Sequence, residues 1–184
     1  VEFDGSWLAL FWLAESAVLF WIGRTQKVRF YEIFSYPLLG VAICSLLYGW
    51  GEYYGNLHEF KLFLNVDFLI SALFITILGV MLIISRKTKE AAFNDYSGVL
   101  TWALFTMLYF AFFMEINGYW SAQLGINNEL PQWLWKNPKA QALATFRVIW
   151  LTNYTLLYLI VISWVNIKIY KNQTFAGVNL IINA

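Results

Sequence analysis

The residues able to do chemistry in this chain are few, and they stand where polar groups are costly. Glu15 lies well inside an apolar run, Trp12-Leu13-Ala14-Glu15-Ser16. An ionisable group near the middle of a bilayer costs at least ~2.5 to 3.5 kcal/mol on insertion scales. Glu15 is therefore expected either to be met by a donor inside a helix bundle or to serve a proton, an ion or a substrate. The bland reading is hydrogen bonding between helices.

A second group gathers where apolar runs end. Glu52 closes one run, Asp67 opens the next, Glu115 closes a later one and Arg147 begins the last. Glu115 and Arg147 end and begin consecutive antiparallel segments, so an ion pair between them is geometrically reasonable and would lower the desolvation cost of both. Asn65 lies within a turn of Asp67, and Asn153 follows Arg147 about two turns on. These groups are expected to wall a polar pocket floored by Glu15, with Tyr48, Trp50, Tyr53, Tyr54, Tyr119 and Trp120 around its mouth. Aromatic rings there suit a sugar or a lipid headgroup. The bland alternative is an ordinary aromatic belt with acids facing water at helix ends.

Other chemistry is absent. No phosphate-binding Gly-rich loop, His-Glu-x-x-His zinc site or Gly-x-Ser-x-Gly elbow occurs. His58, the single histidine, sits in Asn56-Leu57-His58-Glu59, where a general base beside Glu59 or Glu52 is conceivable and a solvated loop residue is the simpler reading. The single cysteine, Cys44, lies in an apolar run, so no disulfide framework or Cys-based metal site can be built within the chain. Neither a metal nor another cofactor is expected.

The elements that must position these residues follow from composition. Of 184 residues 60% are hydrophobic and 12% charged, where a soluble domain has roughly a quarter charged. The net charge of +1 offers no basic field for nucleic acid. A bilayer-crossing helix needs about 20 mostly apolar residues, and five such runs occur: residues 7–23, 33–54, 63–85, 98–117 and 146–167. Their apolar residues go all round the helix instead of forming one stripe. The expected fold class is all-α, a polytopic transmembrane helix bundle of about five spans in one helical region.

Basic residues set the orientation. Arg24, Lys27 and Arg29 follow the first run, Arg86, Lys87 and Lys89 the third, and Lys168 and Lys171 the fifth. These connections are expected to be cytoplasmic, with the N-terminal end outside. The last step is the weakest, because Lys136 and Lys139 precede the fifth run and Arg147 lies at its start. An outer loop is expected over residues 119–145, its Gln132-Trp133-Leu134-Trp135 lying at the interface as an anchor or as a lid. Pro37 falls near the start of the second run, where helix donors are unpaired in any case. Gly51 and Gly55 have helix-dimer spacing at a helix end, and no internal repeat argues for an inverted-repeat transporter. The acidic start, with Glu2 and Asp4, does not read as a signal peptide, and residues 175–184 turn apolar again. Both ends are expected to be cuts in a longer chain, a fragment of a larger bundle.

Trp12-Leu13-Ala14-Glu15-Ser16-Ala17 followed by Phe20-Trp21-Ile22-Gly23-Arg24 resembles a pattern of large bacterial membrane proteins grouped as domain of unknown function 2339. Phe63-Leu64-Asn65-Val66-Asp67-Phe68-Leu69 resembles a second segment of that family, with Asp67 where the family has a basic residue. Phe113-Met114-Glu115-Ile116-Asn117-Gly118-Tyr119-Trp120 resembles a third. The resemblance implies a bacterial inner membrane and a longer parent whose further spans would be partners beside the bilayer. It brings no established activity, but it singles out Glu15 and Glu115.

Together these readings lead to the expectation of a non-enzymatic envelope component that binds a lipid or small polar ligand at its outer face. Glu15, Glu52, Asp67, Glu115 and Arg147 are the candidate ligand-binding or proton-linked residues. The alternatives are part of a proton-linked transporter using Glu15, or an envelope glycan or lipid transferase using His58, Glu59 or Glu115.

Overall fold

A computed structural model describes residues 5–55, 60–87, 97–125 and 138–170. Within them the chain is helical in five elements: α1 Gly5–Thr25, α2 Arg29–Gly55, α3 Val66–Lys87, α4 Ser97–Leu124 and α5 Pro138–Val165, which ends in a π-helical turn, Asn166–Tyr170. All five are long and apolar enough to cross a membrane, so the chain is a multi-pass membrane protein of all-α class. Each apolar run lies largely within one helix, although the helices extend past several run ends. Residues 119–124 continue α4 and residues 138–145 begin α5, so the expected outer loop is shorter than 119–145. Its Trp-rich segment, residues 132–135, lies outside the described residues, as do His58 and Glu59.

Two compact units make up the chain: Val1–Leu130, which holds α1 to α4, and Pro131–Ala184, which holds α5. In the first unit α1 packs chiefly on α2 and then on α3, and α3 packs on α4.

The α1–α2 hairpin shows why. Along α1 a buried seam runs through Ser6, Ala9, Leu13, Ser16, Phe20 and Gly23, and along α2 through Glu32, Ser35, Leu39, Ala42, Leu46 and Gly49, with Arg24 and Trp50 also buried beside it. Both series step by three and four residues, the seam of a left-handed helix pair. Small residues occupy seven of its twelve positions and let the two backbones approach closely, the usual device where lipid removes any hydrophobic drive between helices. A Cβ added at Gly23 would stand 2.7 Å from the backbone nitrogen of Glu32, and one at Gly49 would stand 2.9 Å from that of Ser6. Gly51, the residue noted for its dimer spacing, opens on empty space.

A short turn joins the pair. The Val28 N–H donates to the Gly23 carbonyl at 3.0 Å, with Lys27 left-handed at φ 57°. That is the hydrogen bond of a Schellman cap, which satisfies a carbonyl left open at the end of α1.

Pro37 lies in the interior of α2, not near its start, because the helix begins at Arg29. Position 37 therefore offers no N–H to the Ile33 carbonyl, a defect that membrane helices tolerate when neighbouring groups adjust. Close to it, the Ser16 hydroxyl donates to the Ser35 carbonyl at 2.7 Å and ties α1 to this stretch.

Close glycine packing sets a strong expectation. Gly23→Ala and Gly49→Ala should each lower the unfolding free energy by about 1–3 kcal/mol, the usual cost of overpacking. Gly51→Ala should leave it unchanged. Unfolding in mixed micelles, followed by circular dichroism, checks all three.

Candidate functional site

The polar residues of the first unit collect at both ends of the hairpin. At the end away from the short turn, the C-terminus of α2, the N-termini of α1 and α3 and the C-terminal half of α4 come together. Glu115 is their centre and is fully buried. Its Oε1 accepts from the Tyr54 hydroxyl at 2.6 Å and from the Asn65 side-chain amide at 2.6 Å. Its Oε2 accepts from the backbone N–H of Phe63 at 2.9 Å. Each donor is placed by its own local structure.

Asn65 is the N-cap of α3. Its Oδ1 accepts from the Phe68 N–H at 2.7 Å, as a capping side chain should. Its Nδ2 donates to the Lys61 carbonyl at 3.2 Å as well as to Glu115, so the amide has an acceptor side facing N–H and a donor side facing oxygen. Phe63 adopts φ 60°, a left-handed conformation unusual for a bulky residue. Such backbone is kept only when the surroundings over-determine it. Here the Phe63 N–H is held by Glu115, and its ring packs edge-on against Phe68 at 5.1 Å and Phe112 at 6.1 Å. Tyr54 lies over Gly118, one turn along α4 from Glu115. A Cβ at Gly118 would come within 2.8 Å of the Tyr54 ring and 2.9 Å of the Phe60 ring. Glycine at that position lets the tyrosine lie flat enough for its hydroxyl to reach the acid.

Beside this centre runs a second chain of bonds. The Ser6 hydroxyl donates to Asp67 Oδ1 at 2.5 Å, joining the start of α1 to the start of α3. Trp50 Nε1 donates to the Ser71 hydroxyl at 2.8 Å, and that hydroxyl donates to the Asp67 carbonyl at 2.7 Å. Asp67 in the first turn of α3 also sits well with the helix dipole.

At the turn end, Arg24 and Glu32 form a buried ion pair across the hairpin, and the Arg24 guanidinium lies 5.4 Å from the centre of the Phe20 ring. The Ser35 hydroxyl donates to the Glu32 carbonyl at 2.7 Å.

The expected site residues thus have unlike fates. Asp67 and Glu115 are brought into one region with Asn65 and Tyr54. Glu52 is exposed and accepts from the exposed Tyr48 hydroxyl at 3.1 Å. Trp50, expected at a pocket mouth, is 1% exposed and belongs to the core. Glu15 does not floor this region. It lies midway along α1 on the face turned away from α2 and α3, exposed, with no hydrogen bond or ion pair to another described residue. The donors that hold Glu115 all come from its own unit, and Arg147 lies on α5, in the second. Among the described residues no cluster of His, Cys, Asp and Glu suited to a metal is found.

The Arg24–Glu32 pair is not among the candidates that the sequence offers, although both residues flank the short turn and Gly23 marks a close crossing beside them. In the sequence Asn65 stands out for its nearness to Asp67 and as part of the 63–69 segment, not as a cap. The signal for its role was an Asn three residues before Phe68 at the start of an apolar run, the mark of a helix cap.

The Asn65 geometry makes a sharp expectation. Aspartate caps helices as well as asparagine does, so Asn65→Asp should be harmless if capping were its whole role. It would instead set a carboxyl oxygen against Glu115 and remove two donated bonds, at about 2 kcal/mol or more. Asn65→Ser, which keeps only the cap, should be less harmful than Asn65→Asp. Unfolding of the three proteins in the same micelles gives the order.

Compared with known proteins, the chain matches no family model, no curated protein sequence and no solved structure.

Proposed function

We propose that the chain is a non-enzymatic component of a bacterial cell envelope, set in the inner membrane as a rigid support for a structured outer face. The observation that carries this reading is the state of Glu115. A general acid or base must come within ~3 Å of the proton it moves, and a ligand-binding acid must offer a free oxygen. Both oxygens of Glu115 are instead taken by Tyr54, Asn65 and Phe63, under full burial. The acid closes the connection between α2 and α3 onto α4.

A lipid headgroup or small polar ligand would then meet the exposed rim of Tyr48 and Glu52, not Glu115. The basic residues Lys27, Arg29, Arg86 and Lys87 collect at the opposite end of the first unit. Their excess supports a cytoplasmic turn end and an extracytoplasmic N-terminal end. Membership of the bacterial family with domain of unknown function 2339, and a longer parent chain, belong to the same proposal.

Amide exchange of the full chain in lipid nanodiscs tests the support role. The Phe63 amide should exchange slowly, and Glu115→Ala should release residues 60–65 while the α1–α2 hairpin stays protected. Rapid exchange at Phe63 in the unchanged protein, or protection that survives Glu115→Ala, would refute the reading.

A further inference from the structure

The end of the first unit that holds the short turn carries a concentrated positive charge. Lys27 lies in the turn, Arg29 begins α2, and Arg86 and Lys87 end α3; all four are exposed. The Ser6–Asp67 bond joins the starts of α1 and α3, so these two packed helices run in the same direction and finish at the same end. Glu32 is the acid found there among the described residues, and Arg24 neutralises it inside the hairpin. Helices of 21 and 22 residues rise about 32 Å at ~1.5 Å per residue, close to the ~30 Å of the hydrocarbon core. Their ends, and the cations on them, therefore stand at the depth of lipid phosphates. Exposed rings continue this face toward the bilayer interior: Phe30 and Phe34, one turn apart at the start of α2, have ring centres 4.9 Å apart. Lys27 itself is left-handed at φ 57°, the position past a helix end that usually holds glycine. Glycine would adopt that backbone without steric cost, so the fold alone does not account for a lysine there.

We infer that the turn end of the first unit is a binding surface for anionic phospholipid, its phosphate held by Lys27, Arg29, Arg86 and Lys87 and its acyl chains lying along Phe30 and Phe34. Phospholipid is the occupant that the depth selects, because phosphate and hydrocarbon meet at the level where the cations give way to the rings. Anionic lipid is the kind that the charge selects. Each Lys or Arg near the membrane surface adds to the attraction for a negative headgroup, whereas a zwitterionic headgroup brings a cation of its own to the same place. The two arginines can each grip two phosphate oxygens through their planar forks, and the two lysines act as point charges. This surface lies at the opposite end of the unit from Glu115, so it does not depend on the role assigned to that acid. It holds on whichever side of the membrane the turn lies.

The test is native mass spectrometry of the full chain in neutral detergent, titrated with phosphatidylglycerol or with phosphatidylcholine of the same acyl chains. Phosphatidylglycerol should be retained at the lower concentration. Lys27→Gly should weaken its retention about fivefold, the contribution of one basic residue at an anionic surface, while unfolding in the same detergent shows a protein at least as stable as the parent, since glycine suits the left-handed position. Arg29→Gln combined with Lys87→Gln should weaken retention roughly 25-fold on the same scale. Lys61→Gln, exposed at the opposite end of the unit, should leave it unchanged. Should Lys27→Gly prove less stable than the parent, the double change, made only at exposed residues, decides. Equal retention of the two lipids, unchanged retention in the double variant, or an equal loss in Lys61→Gln would overturn the proposal. Displacement of phosphatidylglycerol by inorganic phosphate at matching concentration would overturn it too, since the surface would then take a free anion and not a lipid.

Discussion

Glu115→Ala is expected to be among the most damaging single changes in the first unit. It strands the Tyr54 hydroxyl, the Asn65 amide and the Phe63 N–H together, all at a buried position. A buried donor left without its acceptor costs about 1–3 kcal/mol. Bonds between membrane helices average nearer 0.6 kcal/mol, because the unfolded chain finds other partners in the bilayer. Three donors on one acid, discounted for that, give a loss of about 3 kcal/mol. Phe63 adds to it, since its left-handed backbone loses the bond that holds it. Glu115→Gln should be intermediate. An amide keeps one acceptor oxygen for Tyr54 and Asn65 but turns an NH2 toward the N–H of Phe63, donor against donor. Thermal unfolding in micelles, read at the Tyr and Trp bands, should rank wild type, Gln and Ala in that order. Equal stability of wild type and Ala would mean that water replaces the acid, and the closed centre would have to be given up.

How much of this was legible in the sequence differs by scale. Five helices could be read from apolar length alone, because the bilayer sets that length and a helix satisfies its backbone within its own segment. Helix ends were less legible. Hydrophobicity marks where a helix meets the membrane surface, not where its hydrogen bonds stop, so α4 and α5 run on through Tyr119–Leu124 and Pro138–Thr145. The direction in which a side chain faces was hidden for a related reason. When a helix is apolar all round, no stripe separates protein from lipid, so the sequence does not show that Glu15 lies on an exposed face of α1. The stripe does exist in another alphabet, that of size. Ser6, Ala9, Ser16 and Gly23 against Ser35, Ala42 and Gly49 trace the hairpin seam, and a search for small residues at steps of three and four would have found it. Glu115 stands out in the sequence as a charged residue at the end of an apolar run, but the groups that hold it do not. Tyr54 and Asn65 are 61 and 50 residues away and carry no charge to draw attention.

The second large effect is expected at Arg24 and Glu32. Removing either partner of a buried ion pair leaves an uncompensated charge and typically costs about 3–5 kcal/mol. Arg24→Ala and Glu32→Ala should each fall in that range, because both side chains are almost fully enclosed in the hairpin. The double change Arg24→Met with Glu32→Leu should recover most of the loss, since well-packed apolar side chains often equal a buried pair. A double-mutant cycle on unfolding free energies reads the coupling directly. Additive single losses would show that the two residues act independently.

The bonds at Glu115 also impose an order on biosynthesis. Tyr54, Phe63 and Asn65 all precede the acid, and Tyr54 precedes it by 61 residues. At roughly 5–20 residues per second of translation, that is a wait of roughly 3–12 s between donor and acceptor. During that interval α1 and α2 are already joined by their short turn and small-residue seam, while the connection to α3 has nothing to close on. The nascent chain therefore passes through a stage with a finished hairpin and an open latch, and the arrival of α4 is the event that shuts it.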